Sequence, residues 1–162
     1  MALGVTYQLR RFDGLSPREL YGVLRLRAEV FVVEQACAYQ DLDGLDDRSL
    51  HLTQHGPDRL TGYARLLPPG LDFADACAIG RIVTAPAVRR RGLGRPLVAR
   101  AIAECVARWP QRPIKLHAQT YLLEFYGEFG FRPYGEEFLE DGLPHYHMAR
   151  AAGEPTAGLP LP

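Results

Sequence analysis

Apolar residues recur along the chain at two different periods, and the changes of period mark out its elements. Leu20, Val23, Leu24, Ala28 and Phe31 follow helical spacing, which predicts a helix running to about Phe31. Its start is written in Ser16-Pro17-Arg18-Glu19: a serine N-cap, a proline at the first helical position and a glutamate that completes a capping box. Leu97, Val98, Ala101, Ile102 and Cys105 share one face of a second helix, Gly94 to Arg108. Pro96 fits its first turn, because the N–H it lacks would be unpaired there. A short third helix is expected over Thr120 to Phe129, with Gly130 as its C-cap.

Between these lie short β-prone runs: Val5 to Phe12, Ser49 to Gln54, Leu60 to Leu67, Cys77 to Thr84, Pro113 to Ala118, Phe131 to Glu137 and His145 to Ala149. Turn signals separate them, notably Gly56-Pro57-Asp58, Pro68-Pro69-Gly70 and Glu140-Asp141-Gly142-Leu143-Pro144. The order βαββ-β-α-β-α-ββ predicts a mixed α/β (α+β) sandwich, not an alternating doubly wound sheet. From Glu34 to Arg48 the chain is irregular and acidic. Residues Gly153 to Pro162 are rich in Gly and Pro with little to bury, so a single domain over 5–152 with a disordered tail over 153–162 is expected.

Composition narrows this picture mainly by exclusion. The 162 residues suit one compact core, and 47% hydrophobic with 23% charged is ordinary for a globular domain. With 19 basic and 19 acidic residues the net charge is zero, which argues against nucleic acid or a membrane surface as the partner. No apolar run approaches the roughly 20 residues that span a bilayer, and no secretory signal is visible. Cys37, Cys77 and Cys105 form no Cys-x-x-Cys pair; reduced thiols in the cytoplasm fit better than a disulfide frame or a zinc site.

The strongest chemical signal is Arg89-Arg90-Arg91-Gly92-Leu93-Gly94-Arg95, between the β-run ending at Thr84 and the helix starting at Gly94. A helix start offers unpaired N–H groups and the positive end of the dipole, so it favours an anion. Gly92 and Gly94 put no side chain in the way, and the arginines add charge. No Gly-Lys-Ser/Thr follows, so this is not a Walker A loop, and the Gly-x-Gly-x-x-Gly pattern is absent.

Arg89-x-x-Gly92-x-Gly94 resembles the coenzyme A pyrophosphate motif of the GNAT superfamily of N-acetyltransferases. Gln119-x-x-Leu122-x-x-Phe125-Tyr126-x-x-x-Gly130-Phe131 resembles that superfamily's second conserved segment, in the right order and at about the right distance. Leu26 to Gln35, Tyr39 to Asp43, Ile79 to Val83 and Glu140 to His145 look like its ElaA-like branch. The resemblance extends over roughly residues 5 to 150. It implies a mostly antiparallel sheet of six to seven strands, splayed between the fourth and fifth and flanked by about four helices.

The implied activity is acetyl transfer from acetyl-CoA, as cosubstrate, to a primary amine on a small molecule or peptide, by direct attack and without a metal. The other reading is a coenzyme A-binding sensor or interaction module of the same fold with weak turnover. The pantetheine arm would lie along Ile82, Val83 and Thr84, pairing with the backbone of Ile82 and Thr84. The pyrophosphate would lie on Arg89 to Arg95, with Gln119 and Tyr126 also at the cofactor. A homodimer is left open.

Tyr126 falls at the position of the tyrosine that protonates the departing thiolate; the bland alternative is a core tyrosine like nearby Tyr121. The amine must attack in its neutral form. Glu34, after the first helix, is the leading candidate to take its proton and His117 the second, although either fits a structural role. Asp41, Asp43, Asp46 and Asp47 surround Gly44 without the ligand spacing of a calcium loop. They read either as a solvated turn or as an acidic lip that attracts a cationic amine. His145 and His147 alone make no metal site.

Overall fold

The computed structural model describes residues 4–159. Seven strands form one sheet: β1 (Thr6–Arg11), β2 (Leu50–His55), β3 (Leu60–Leu67), β4 (Cys77–Thr84), β5 (Ile114–Gln119), β6 (Arg132–Glu140) and β7 (Leu143–Arg150). Their order across the sheet is β1-β2-β3-β4-β5-β7-β6. Every neighbouring pair is antiparallel except β4 with β5, which is parallel. Among the described residues three α-helices accompany the sheet: α1 (Pro17–Arg27), α2 (Gly94–Arg108) and α3 (Leu123–Gly127).

The capping box forms as expected: Ser16 Oγ accepts from Glu19 N at 3.2 Å, and Glu19 Oε2 accepts from Ser16 N at 2.8 Å. The α-helix stops at Arg27, short of Phe31, and continues as a π-helical segment over Ala28–Glu34. Wide i→i+5 bonds run from Gln35 N to Val30 O and from Cys37 N to Val32 O. Val30, Val32 and Val33 are poor α-helix formers, and Arg27 at the junction is drawn completely into the interior.

The helices α1 and α2 bury different apolar clusters. Leu97, Val98, Ala101, Ile102 and Cys105 of α2 pack on Leu52, Ala64 and Leu66, while Val23 and Leu26 of α1 pack on Tyr63 and Val83. Tyr63 and Ala64 are sequence neighbours on opposite faces of β3, as strand alternation requires. The last hairpin is tighter than its five-residue turn signal suggested. Only Asp141 and Gly142 lie between β6 and β7, with φ of 51° and 79°, the left-handed pair of a two-residue hairpin. The expected tail is described as far as Leu159, which packs on the core; Arg150 donates to the carbonyls of Glu154 at 3.2 Å and Pro155 at 2.7 Å. Residues 160–162 of that tail lie outside the described residues.

Two features of β4 shape the site. It pairs with β5 only at Cys77–Ile114 and Ala78–Lys115, after which the two strands separate and leave the facing backbone edge of β4 open. Its pairing with β3 skips a step, so that Arg81 and Ile82 together face Ala64. Arg81 takes a left-handed φ of 49° to make this bulge.

Candidate active site

The gap between β4 and β5 opens into a cavity of about 420 Å³. Gly80, Arg81 and Ile82 line it from β4, His117 and Gln119 from β5, and Tyr126 from α3. Of the other expected cofactor contacts on β4, Val83 is buried against α1 and Thr84 is cross-strand partner to Gly62. The splay therefore brings Ile82, His117, Gln119 and Tyr126 together around one space.

Tyr126 is 7% exposed, with its ring edge-on to Phe125 at 5.2 Å and Phe131 at 6.2 Å. Its hydroxyl has no hydrogen-bond partner among the described residues. Burial pushes the phenol well above its ordinary value of 10.0, helped slightly by Tyr121. Tyr121 itself is 75% exposed, so the two tyrosines are not equivalent. A phenol held protonated on a cavity wall can donate a hydrogen bond to charge developing there.

His117 lies between two carboxylates. Nε2 is 3.2 Å from Asp72 Oδ2, and Nδ1 is 3.3 Å from Glu140 Oε1. The second contact lies off hydrogen-bond alignment but is close enough to act as an ion pair. Burial alone would lower the imidazole, yet Asp72 and Glu140 outweigh it and lift the group to about 9. At neutral pH His117 is an imidazolium without a lone pair to receive a proton. Glu140 also lies 3.5 Å from His145 Nε2.

Glu34 is at the end of the π-helical segment and does not join this group. Its Oε1 is 2.6 Å from Arg89 Nη1, an exposed pair that ties the segment to the arginine–glycine loop. The loop follows a 3-10 turn at Pro86–Val88. Arg90 and Gly92 adopt left-handed φ of 63° and 74°. In the first turn of α2 the N–H groups of Gly94 and Arg95 have no intrahelical acceptor. Arg95 turns away to Glu128, at 2.8 Å, and lies over the Phe125 ring. Arg91 lines a separate cavity of about 250 Å³. Leu93 buries its side chain.

Three of the four aspartates of the acidic run, Asp41, Asp43 and Asp46, form neither a solvated turn nor a free acidic lip, because three arginines neutralise them, while Asp47 stays exposed beside Arg48. Arg27 binds Asp41 at 3.0 Å and Asp46 at 2.7 Å. Arg65 binds Asp43 at 2.7 Å and Asp46 at 2.9 Å, and Arg81 binds Asp41 at 2.8 Å. Burial would raise Asp43, but Arg65 outweighs it and holds the carboxyl at about 2. His51 closes the network: Nε2 meets the Asp46 carbonyl and Nδ1 the Tyr63 hydroxyl, each at 2.8 Å. The carbonyl can only accept, so Nε2 carries the proton and Nδ1 accepts from Tyr63. Through Asp41 this network anchors Arg81, the bulge residue beside the splay.

The acidic run, Asp72 and Glu140 gain their meaning only from contacts across 14 to 45 residues of chain. Arg27 alone left a local trace, four positions after Val23 and three before Val30, on the apolar stripe of α1. Among the described residues, no group of three or more His, Cys, Asp or Glu is placed to hold a metal ion. Nor is any helix long and apolar enough to cross a membrane.

Comparison with known proteins agrees with this geometry. The acetyltransferase (GNAT) domain family matches residues 16–152. The chain is 42% identical to protein ElaA of Escherichia coli K12 over 148 residues, covering 90% of this chain and 96% of that one. The crystal structure of Escherichia coli ElaA superposes with a TM-score of 0.84 at 40% identity, covering 91% of this chain and 99% of that chain. An acyl-CoA N-acyltransferase from Pseudomonas aeruginosa superposes with a TM-score of 0.87 at 40% identity, covering 91% of this chain and 100% of that chain.

Proposed function

This chain belongs to the acetyltransferase (GNAT) domain family, and from that premise we propose that it is an acyl-CoA-dependent N-acyltransferase that moves an acetyl group from acetyl-CoA to a primary amine. The observation that carries this reading is the splay itself: an open β4 edge, a buried phenol on the wall of the cavity it opens into, and a donor-rich helix start that follows β4. The open edge suits the amides of a pantetheine arm. The N–H groups of Arg90 to Arg95, with the exposed guanidiniums of Arg89, Arg90 and Arg91, suit a pyrophosphate.

In the transfer, the neutral amine nitrogen forms a bond to the thioester carbon, the carbon–sulfur bond breaks to release the coenzyme A thiolate, and the proton that the nitrogen sheds passes to solvent water at the cavity mouth. Tyr126 donates a hydrogen bond to the sulfur as negative charge grows on it. Holding both reactants in one cavity supplies much of the acceleration. Asp72 and Glu140, on either side of the His117 imidazolium, give the cavity a pole that attracts an ammonium before it loses its proton. Glu34 is assigned to the loop and not to proton transfer, because its carboxylate is engaged by Arg89.

The test is product formation. The protein is incubated with acetyl-CoA and a panel of polyamines, amino sugars, amino acids and peptides, and mass spectrometry reads the amines. Gain of one acetyl group on an amine, dependent on the protein, supports the proposal. Coenzyme A binding without an acetylated amine would favour a binding module of the same fold.

A further inference from the structure

Gln54 lies in β2 and is completely buried. A primary amide in that position is costly unless its polar atoms are satisfied, and here both ends are. Nε2 donates to the Leu93 carbonyl at 3.1 Å and to the Tyr7 hydroxyl at 2.9 Å. Oε1 lies 3.2 Å from Thr61 Oγ1 and shares that hydroxyl proton with the Gln54 main-chain carbonyl, at 3.0 Å. Because a carbonyl can only accept, the Leu93 contact fixes which end of the amide points towards α2. Gly62 provides the space: a Cβ there would come within 2.9 Å of Gln54 Oε1 and 3.2 Å of the Val83 carbonyl.

Leu93 is the N-cap of α2 and has no side-chain cap of its own. Its carbonyl therefore carries two bonds, one from Leu97 N at 3.3 Å and one from Gln54. In a planar trans peptide the C=O and the following N–H point in opposite directions. Drawing the Leu93 carbonyl inward towards β2 thus turns the Gly94 N–H outward, towards the anion-binding side of the loop. No other side chain among the described residues bonds to the backbone of residues 89–95.

We propose that Gln54, held by Thr61, is a positioning residue for the pyrophosphate of coenzyme A, acting through the Leu93–Gly94 peptide. This rests on the reading of the arginine–glycine loop as the pyrophosphate site. Gln54 touches neither the cofactor nor the reacting atoms. Its effect is confined to ligands that carry the pyrophosphate, whereas a general packing role would affect any ligand of the splay.

Titration calorimetry with coenzyme A and with pantetheine, which lacks the pyrophosphate, separates the two. The near-isosteric Gln54→Met removes the amide, and coenzyme A should bind about tenfold more weakly while pantetheine changes by less than about twofold. Thr61→Val leaves Gln54 in place but unsupported, and should weaken coenzyme A by about threefold with pantetheine again unaffected. If Gln54→Met does not fold, Thr61→Val decides by the same comparison. Equal weakening of both ligands, or no change in coenzyme A affinity, would overturn the role of Gln54. Failure of the wild-type protein to bind coenzyme A would instead remove the donor assignment on which the inference rests.

Discussion

Arg27 Nη1 lies 2.7 Å from Asp46 Oδ1, with the guanidinium side chain wholly buried and the carboxylate 11% exposed. A buried pair of this kind adds little over an apolar pair while intact, but removing one partner leaves the other charge uncompensated in the interior. Arg27→Met deprives both Asp41 and Asp46 of a partner, and should cost about 3–5 kcal/mol of folding stability. Urea unfolding of the two proteins checks it. A loss below about 1 kcal/mol would show that Arg65 and Arg81 suffice to hold the aspartates.

Acid should loosen the same network. Asp43 is held at about 2, below its ordinary 3.8. A carboxyl lowered on folding contributes stability that is present above its unfolded value and lost as pH falls through the folded one. Thermal midpoints should therefore decline between about pH 4 and pH 2, and decline less in Asp43→Asn. Parallel acid limbs in the two proteins would contradict the assignment.

His117 gives the opposite sign. Its folded value of about 9 lies above the ordinary 6.5, so its contribution is complete below about pH 6.5 and disappears as pH rises through about 9. Thermal midpoints should fall across that alkaline window in the wild-type protein and stay flatter in His117→Gln. NMR titration of the imidazole is the direct check, and a midpoint near its ordinary value would sink the imidazolium assignment.

Glu34 and Arg89 form an exposed ion pair, the kind that contributes at most about 1 kcal/mol. Coenzyme A has to compete with Glu34 for that guanidinium. Glu34→Gln should tighten coenzyme A binding by about two- to fivefold and leave the pH profile of kcat unchanged. Loss of the acid limb of that profile would restore Glu34 as the proton acceptor.

These predictions draw unequally on what the sequence made legible. The bounds of α2 and β4 were readable because Gly94, Pro86 and the apolar spacing are local signals, and the splay followed from the family resemblance. Tyr126 was found by its place in a motif. Asp41, Asp43 and Asp46 read as a solvated turn or an acidic lip because their partners Arg27, Arg65 and Arg81 come from other elements, and local patterning cannot register such pairing. His117 was visible as a candidate base, but the carboxylates of Asp72 and Glu140 that keep it protonated come from outside its strand. Gln54 carries no signal in the sequence, and only the approach of Leu93 gives it a role.

The central claim is amine-dependent acetyl transfer assisted by Tyr126, and thiol release from acetyl-CoA by wild-type protein and Tyr126→Phe tests it most directly. With an amine from the panel that accepts, wild-type protein should release thiol in step with acetylated product. Tyr126→Phe should lower kcat by about a hundredfold or more, with coenzyme A affinity changed by less than about twofold. Equal turnover by the two proteins, or no amine-dependent thiol release from a wild-type protein that binds coenzyme A, would contradict it.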